Sequence, residues 1–406
     1  MNPLNGVKVV EFSTHMVVPL AGRTMADWGA EVIKIESAAG DPWRTDGQWH
    51  DLPTEDDCNP DFSANNSGKR FVSLNLKNPE GKEALLRILS DADVFMTNIR
   101  LAGIQRLGLD YDSLHEKFPR LIYCHFSGYG YEGPDKDKPG FDMTAFWAKS
   151  GAAHEFREAG CRPIALPGAF GDAATSNSVL SGIMAALYHR EKTGEGLRLT
   201  TSLYANGIWC NISRVVGNQP RKDGSPAPVT PVPIENARNP FGLTLECKDG
   251  EWIKFSAGYA RYFAPLMHAI GLGQYAEDER FVPAPDLPRE PRILLDMVIE
   301  AMKTKTSAEW VPILMELDVP FQPLLHSGDV AGDEQAWANG YVGTMVCPNG
   351  NEYVLPNSPV KFFGADPIRT THAGPIGCDT SAVLTECGYS PEEIQSLLDR
   401  GIAAGK

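Results

Sequence analysis

Short apolar runs alternate with amphipathic stretches along the N-terminal half of the chain, in the rhythm of strands and helices. Val7 to Glu11 and Val32 to Glu36 predict two strands, with a short helix over Leu20 to Gly29 between them. Gly68 to Lys77 reads as a basic turn entering a strand, and Asn78-Pro79-Glu80-Gly81 opens a helix to about Ser90. Val94 to Thr97 and Leu121 to Phe126 predict further strands. From Ala173 to Glu191, Val179, Leu180, Ile183, Met184, Ala186 and Leu187 recur at helical spacing. Asp172 stands where an N-cap belongs, after Pro167-Gly168-Ala169-Phe170-Gly171, and Lys192 to Gly196 supplies a glycine stop.

The pattern then loosens. A strand over Leu197 to Ser202 and an apolar helix to about Val216 lead into Gln219 to Asn239, a Pro-rich polar linker. Strands over Phe241 to Cys247 and Trp252 to Ser256 follow, with helices near Tyr262 to Gly271, Arg292 to Thr304 and Ala308 to Leu317. A helix over Asp333 to Asn339, a hairpin of Val342 to Val346 with Glu352 to Leu355, and a helix over Ser390 to Arg400 complete the chain. The expected architecture is α/β: residues 1–200 form a large Rossmann-like domain and 201–224 a linker helix and loop. Residues 225–318 form a small inserted α+β domain, and 319–406 return to complete the large one, whose parallel sheet draws on both termini.

Composition excludes more than it assigns. The 406 residues are 42% hydrophobic and 22% charged, with no run long and apolar enough for a membrane helix and no export signal, so the expected location is the cytoplasm. A formal charge of −15 argues against nonspecific nucleic-acid binding. The eight cysteines contain no CxxC pair and read as reduced thiols; the nine histidines show no metal-ligand spacing, so no metal is expected.

A βαβ start places ligands at the carboxyl ends of its strands. No GxGxxG follows the first strand, which disfavours a nicotinamide oxidoreductase although Glu36 ends the second. Lys69, Arg70, Lys77, Arg100, Arg106 and Lys138 fall near strand ends and loops, where they could converge on one phosphorylated ligand.

Four sets of segments in this order resemble the class III CoA-transferases, the family of formyl-CoA and crotonobetainyl-CoA transferases and α-methylacyl-CoA racemases. They are Gly6 to Phe12 with Gly29 to Glu36; Leu74 to Lys77 with Pro79 to Gly81; Gly128-Tyr129-Gly130 through Pro139 to Asp142; and Gly171-Asp172 with Thr193 to Gly196. The match extends to His372 and Asp379-Thr380. The resemblance implies that Asp172 is the nucleophile, attacking an acyl-CoA thioester and passing through an aspartyl anhydride and an aspartyl-CoA thioester. It implies CoA contacts at His15, Met16 and Val17, at Leu74 and Lys77, at Asn98, Ile99 and Arg100, and at Arg106 and Lys138. It further implies a homodimer whose chains interlock, with CoA as a substrate and no tightly bound cofactor.

Departures narrow the substrate. Ser37 stands where some relatives place an Arg, Met16 replaces the glutamine of formyl-CoA transferase, and the second domain lacks a glycine run. The racemases need a His where this chain has Phe141, and a phenyl ring cannot move a proton. The neighbouring Asp142 is either structural or part of the site. Gly133 to Asp142 with Thr144 to Phe146, and Asp333 to Asn339, look most like the branch that acts on aryl- and alkyl-2-hydroxy acids in amino-acid fermentation. That branch implies an enoyl- or arylacrylyl-CoA donor, an (R)-2-hydroxy acid acceptor such as phenyllactate or 2-hydroxyisocaproate, and a 2-hydroxyacyl-CoA dehydratase as candidate associate. Phe146, Trp147, Tyr204 and Trp209 are candidates for an apolar acyl pocket. The remaining alternatives are a racemase, a CoA-transferase for another acid (carnitine-type, bile acid or dicarboxylate), and a noncatalytic CoA-binding protein.

Overall fold

The computed structural model describes the whole chain except residues 1, 158, 164–167, 223, 226–232, 235–236, 284–287 and 406. The chain forms two compact units, one of residues 1–153, 165–219 and 331–406, the other of 154–164 and 220–330.

The first unit is built on six parallel strands: β1 (Lys8–Phe12), β2 (Glu31–Glu36), β3 (Arg70–Leu74), β4 (Val94–Thr97), β5 (Ile122–Ser127) and β6 (Arg198–Ser202). Their order is β3-β2-β1-β4-β5-β6, so the direction of winding reverses between β1 and β4. Successive side chains go to opposite faces. Val9, Val32, Val94, Met96 and Cys124 pack on one face with the Val17–Asp27 and Phe170–Thr193 helices. Val10, Ile33, Ile35, Val72 and Phe95 pack on the other with Ala84 and Leu85, Val383 and Leu384, and Ile394 and Leu397. Burial on both faces explains why the central strands β1, β2 and β4 read as largely apolar runs rather than as alternating polar and apolar positions.

The C-terminal return differs from the expected parallel strand. It supplies the Thr380–Glu386 and Pro391–Asp399 helices and a two-residue strand, Ala403–Ala404, antiparallel to the β3 edge. So short a segment carries no period for a sequence reading to detect.

The second unit has a three-stranded antiparallel sheet of Thr244–Glu246, Trp252–Phe255 and Phe321–Pro323. The Tyr259–Ala269, Pro291–Met302 and Ser307–Met315 helices contribute to its own core, with Phe255, Phe263, Leu294 and Trp310 buried. Because Phe321–Pro323 pairs with Trp252–Phe255, this unit extends past residue 318. The Leu203–Cys210 and Ile212–Gly217 helices, expected as linker, belong to the first unit. Much of the expected linker over Gln219 to Asn239 lies outside the described residues. The cysteine reading needs one correction: Cys58 and Cys347 form a disulfide. Their separation of 289 residues hides the pair from any spacing rule. No helix among the described residues is long and apolar enough to cross a membrane.

Candidate active site

Asp172 lies in the first turn of the Phe170–Thr193 helix, the third helical residue rather than the expected N-cap. The N-cap position is Ala169, at φ 71°, and its carbonyl accepts the Ala173 N–H at 2.9 Å. A left-handed alanine is strained by about 1–2 kcal/mol, here three residues before the candidate nucleophile. Pro167, from the same motif, lies outside the described residues. The helix stops at Gly194, whose φ of 79° a glycine adopts freely.

A single π-helical turn, Asp142–Ala148, packs against the start of this helix. Any Cβ at residue 171 would collide with the Asp142 carboxylate and the Phe146 ring, so the Gly-Asp pair needs its glycine for space. Burial raises the Asp142 carboxyl, while hydrogen bonding from the Ala169 and Gly171 backbone and from Trp147 pulls it back. Asp172 is pushed up to about 7, mainly by burial and then by the charge of Asp142. Near neutral pH about half of it is ionised, and that fraction is a poorly solvated carboxylate, a better nucleophile than an exposed one.

The carboxyl ends of β1 to β4 surround a cavity of about 780 Å³ at the reversal point of the sheet. Leu74, Lys77, Ile99 and Arg106, all candidates from the sequence, line it, joined by Phe12, Ser37 and Lys82. Lys77, Lys82 and Arg106 give it a cationic wall, with Phe12, Leu74, Ile99 and Leu107 as apolar surface. That combination suits a phosphorylated heterocycle. Lys82 was missed; its only signal was its place one turn into the helix that follows Lys77.

The remaining candidates divide. Asn98 binds across the reversal point, its Oδ1 accepting the Thr14 N–H at 3.0 Å and its Nδ2 donating to the Thr14 carbonyl at 2.7 Å. His15 takes φ 63°, and its ring stands edge-on to Trp43 and Phe141 at 6.3 and 5.7 Å. Met16 caps the Val17–Asp27 helix and Val17 is buried in the core. Arg100 precedes the Leu101–Arg106 helix at its N-cap, and the Lys138 ammonium lies 5.5 Å from the centre of the Tyr129 ring.

Two of the cation readings are corrected. Lys69 is fully buried with its ammonium 2.7 Å from Glu11, and Arg70 is paired with Glu31 and Glu386, so neither joins the cationic wall. Of the candidates for an acyl pocket, Phe146 and Trp147 are buried in the core, Phe146 against Gly171, and Trp209 is exposed. Tyr204 is partly buried, with the Lys149 ammonium 5.4 Å from its ring centre.

Residues 4–380 match the family model described as CoA-transferase family III. The chain is 37% identical over 397 residues to the (R)-2-hydroxy-4-methylpentanoate CoA-transferase of Clostridioides difficile, covering 98% of each. It is 35% identical over 398 residues to the cinnamoyl-CoA:phenyllactate CoA-transferase of Clostridium sporogenes, covering 98% of this chain and 96% of that one. Among solved structures, a CAIB/BAIF family protein from Brucella suis superposes with a TM-score of 0.80 at 28% identity, over 95% of this chain and 100% of that one.

Proposed function

The chain belongs to CoA-transferase family III, and on that premise we propose that it moves CoA from an enoyl- or arylacrylyl-CoA to an (R)-2-hydroxy acid. Phenyllactate and 2-hydroxyisocaproate are the acceptors to try first. The observation that carries this choice is the near end-to-end similarity to two enzymes named for such acids.

In the proposed mechanism the Asp172 carboxylate attacks the thioester carbonyl of the donor. The C–S bond breaks, giving an acyl-aspartyl anhydride and CoA thiolate. The thiolate attacks the aspartyl carbonyl, forms the Asp172–CoA thioester and releases the first acid as its carboxylate. The incoming 2-hydroxy acid attacks that thioester through its own carboxylate, restoring an anhydride and a thiolate. Attack of the thiolate on the acyl carbonyl of the new anhydride yields the 2-hydroxyacyl-CoA and frees Asp172. No net proton is gained or lost. The raised basicity of Asp172 supports its role as nucleophile, and the wall of Lys77, Lys82 and Arg106 supports binding of the CoA phosphates.

CoA is a substrate in this scheme, and no other cofactor takes part. A 2-hydroxyacyl-CoA product suits a dehydratase as the next enzyme, which would place the protein in cytoplasmic amino-acid fermentation. A homodimer of interlocked chains is also proposed, supported by the exposed Tyr188, Trp209, Ile212 and Val216 on the first unit. Light scattering should return twice the chain mass.

The decisive experiment incubates the protein with cinnamoyl-CoA or 4-methylpentenoyl-CoA, adds a 2-hydroxy acid and follows CoA exchange. Acyl-CoA-loaded enzyme is treated in parallel with hydroxylamine and its peptides are weighed. We expect a hydroxamate on Asp172 and loss of exchange by about 10³-fold or more in Asp172→Ala. Deuterium entering the α-carbon without any adduct would instead show a racemase.

A further inference from the structure

The loop that follows β1 rests on a group of buried charges that the proposed mechanism does not use. The side chains of Glu11, Lys34, Asp41 and Lys69 are all fully withdrawn from solvent. Lys34 Nζ lies 2.8 Å from Glu11 Oε1 and 3.0 Å from Asp41 Oδ2, and Lys69 Nζ lies 2.7 Å from Glu11 Oε2. Two carboxylates and two ammonium groups thus balance in one connected network.

Each buried ion costs several kcal/mol of solvation, and apolar residues of similar volume would often serve stability as well. What the network does provide is a set of fixed points on one stretch of backbone. Lys34 Nζ donates to the Ser13 carbonyl at 3.1 Å, Asp41 Oδ1 accepts the His15 N–H at 3.0 Å, and Lys69 Nζ donates to the Pro19 carbonyl at 2.7 Å. Between those points lies His15, held at a φ of 63° that a non-glycine residue avoids unless its surroundings impose it. The same Asp41 oxygen accepts the Trp43 N–H at 3.0 Å, placing the ring that meets His15 edge-on.

We propose that Glu11, Lys34, Asp41 and Lys69 are positioning residues that hold the 13–16 loop and the first turn of the Val17–Asp27 helix in the conformation that receives acyl-CoA. This rests on the reading of His15 and Met16 as CoA contacts. The four side chains act on substrate affinity without touching the substrate. Burial opposes the charge of Glu11, yet Lys34 and Lys69 together hold its carboxyl down at about 2. Burial likewise opposes the charge of Lys34, but Glu11 and Asp41 keep its ammonium above the ordinary range. Burial, with Lys34 beside it, brings Lys69 down to about 8 against the pull of Glu11 and Asp41.

The test is a variant that removes one charge of each sign, Lys34→Met/Asp41→Asn, so that the Glu11–Lys69 pair stays balanced. Binding of coenzyme A itself is measured by titration calorimetry, with folding checked by circular dichroism and melting. The expected result is a folded protein whose Kd for CoA rises by about tenfold or more, with KM for acyl-CoA rising in step and kcat within about threefold. A merely structural role would lower the active fraction, and hence kcat, and leave both constants alone. If the double variant does not fold, Asp41→Asn alone keeps the acceptor for the His15 N–H while weakening the tie to Lys34, and a severalfold rise in Kd is expected. A folded variant with the wild-type Kd overturns the proposal, as does wild-type protein that binds no CoA. Wild-type protein that binds CoA but passes it to no acid overturns the transfer reading alone, and the ratio of Kd values still decides this one.

Discussion

Asp172 occupies a helix's first turn, where the dipole favours a negative charge, yet burial and the neighbouring Asp142 outweigh that and raise its carboxyl to about 7. An unfolded aspartate releases its proton near pH 3.9, so between about pH 4 and 7 the folded protein holds a proton that the unfolded chain has lost. Stability from this group is complete below that window and falls as pH rises through it, by roughly 2–4 kcal/mol in total. Asp172→Asn should remove the loss: the variant should melt higher than wild type at pH 8, converge with it near pH 4, and exchange no CoA. Equal melting temperatures at both pH values would mean that the carboxyl is not raised. In the proposed mechanism catalysis runs the opposite way, because only the ionised form of Asp172 would attack. The kcat/KM of wild type should climb with a single ionisation near pH 7, and Asp142→Asn should move that limb to lower pH by taking away the neighbouring charge.

At the scale of elements, glycines mark where the site demands close approach. Gly22 lies in the Val17–Asp27 helix, and a Cβ there would meet the Glu11 carboxylate, with Met96 Cε at 2.8 Å. In a solvent-exposed helix, Gly→Ala gains about 1 kcal/mol. Here Gly22→Ala should lose about 1–3 kcal/mol in denaturant unfolding, because both the carboxylate and the sheet beneath it must shift; a more stable variant would show that the helix can move away. The same logic explains Gly171 beneath Asp142, and neither constraint can be read from the sequence. The parallel strands and the long helix were legible because each is a run with its own period, fixed by burial on known faces. The Asp142–Ala148 π-turn and the Pro42–His50 3₁₀ segment were not, since their form comes from the packing and capping around them rather than from periodicity. Lys69 misled for a related reason. A lysine at a strand entrance looks solvated until the fold puts Glu11, 58 residues away in sequence, against it.

At the scale of the molecule, the division of the chain separates ligand sites from sequence order. The cavity of Lys77 and Arg106, the Asp172 turn and the network under His15 all lie in the unit of residues 1–153, 165–219 and 331–406. The unit of residues 154–164 and 220–330 has a core of its own around Phe255, Phe263 and Trp310. Units with separate cores need not melt as one cooperative block. Scanning calorimetry should therefore give a van't Hoff enthalpy below the calorimetric one. A ligand that binds only the folded form stabilises by about 2.7 kcal/mol at a hundred times its Kd. CoA at that excess should act first on the transition of the larger unit, and Lys77→Ala/Arg106→Ala should need a higher CoA concentration for the same rise. Assignment of the transitions follows from Gly22→Ala, which lies in the larger unit and should lower the one that CoA raises. If CoA and Gly22→Ala moved different transitions, the cavity at the strand ends would not be where CoA binds.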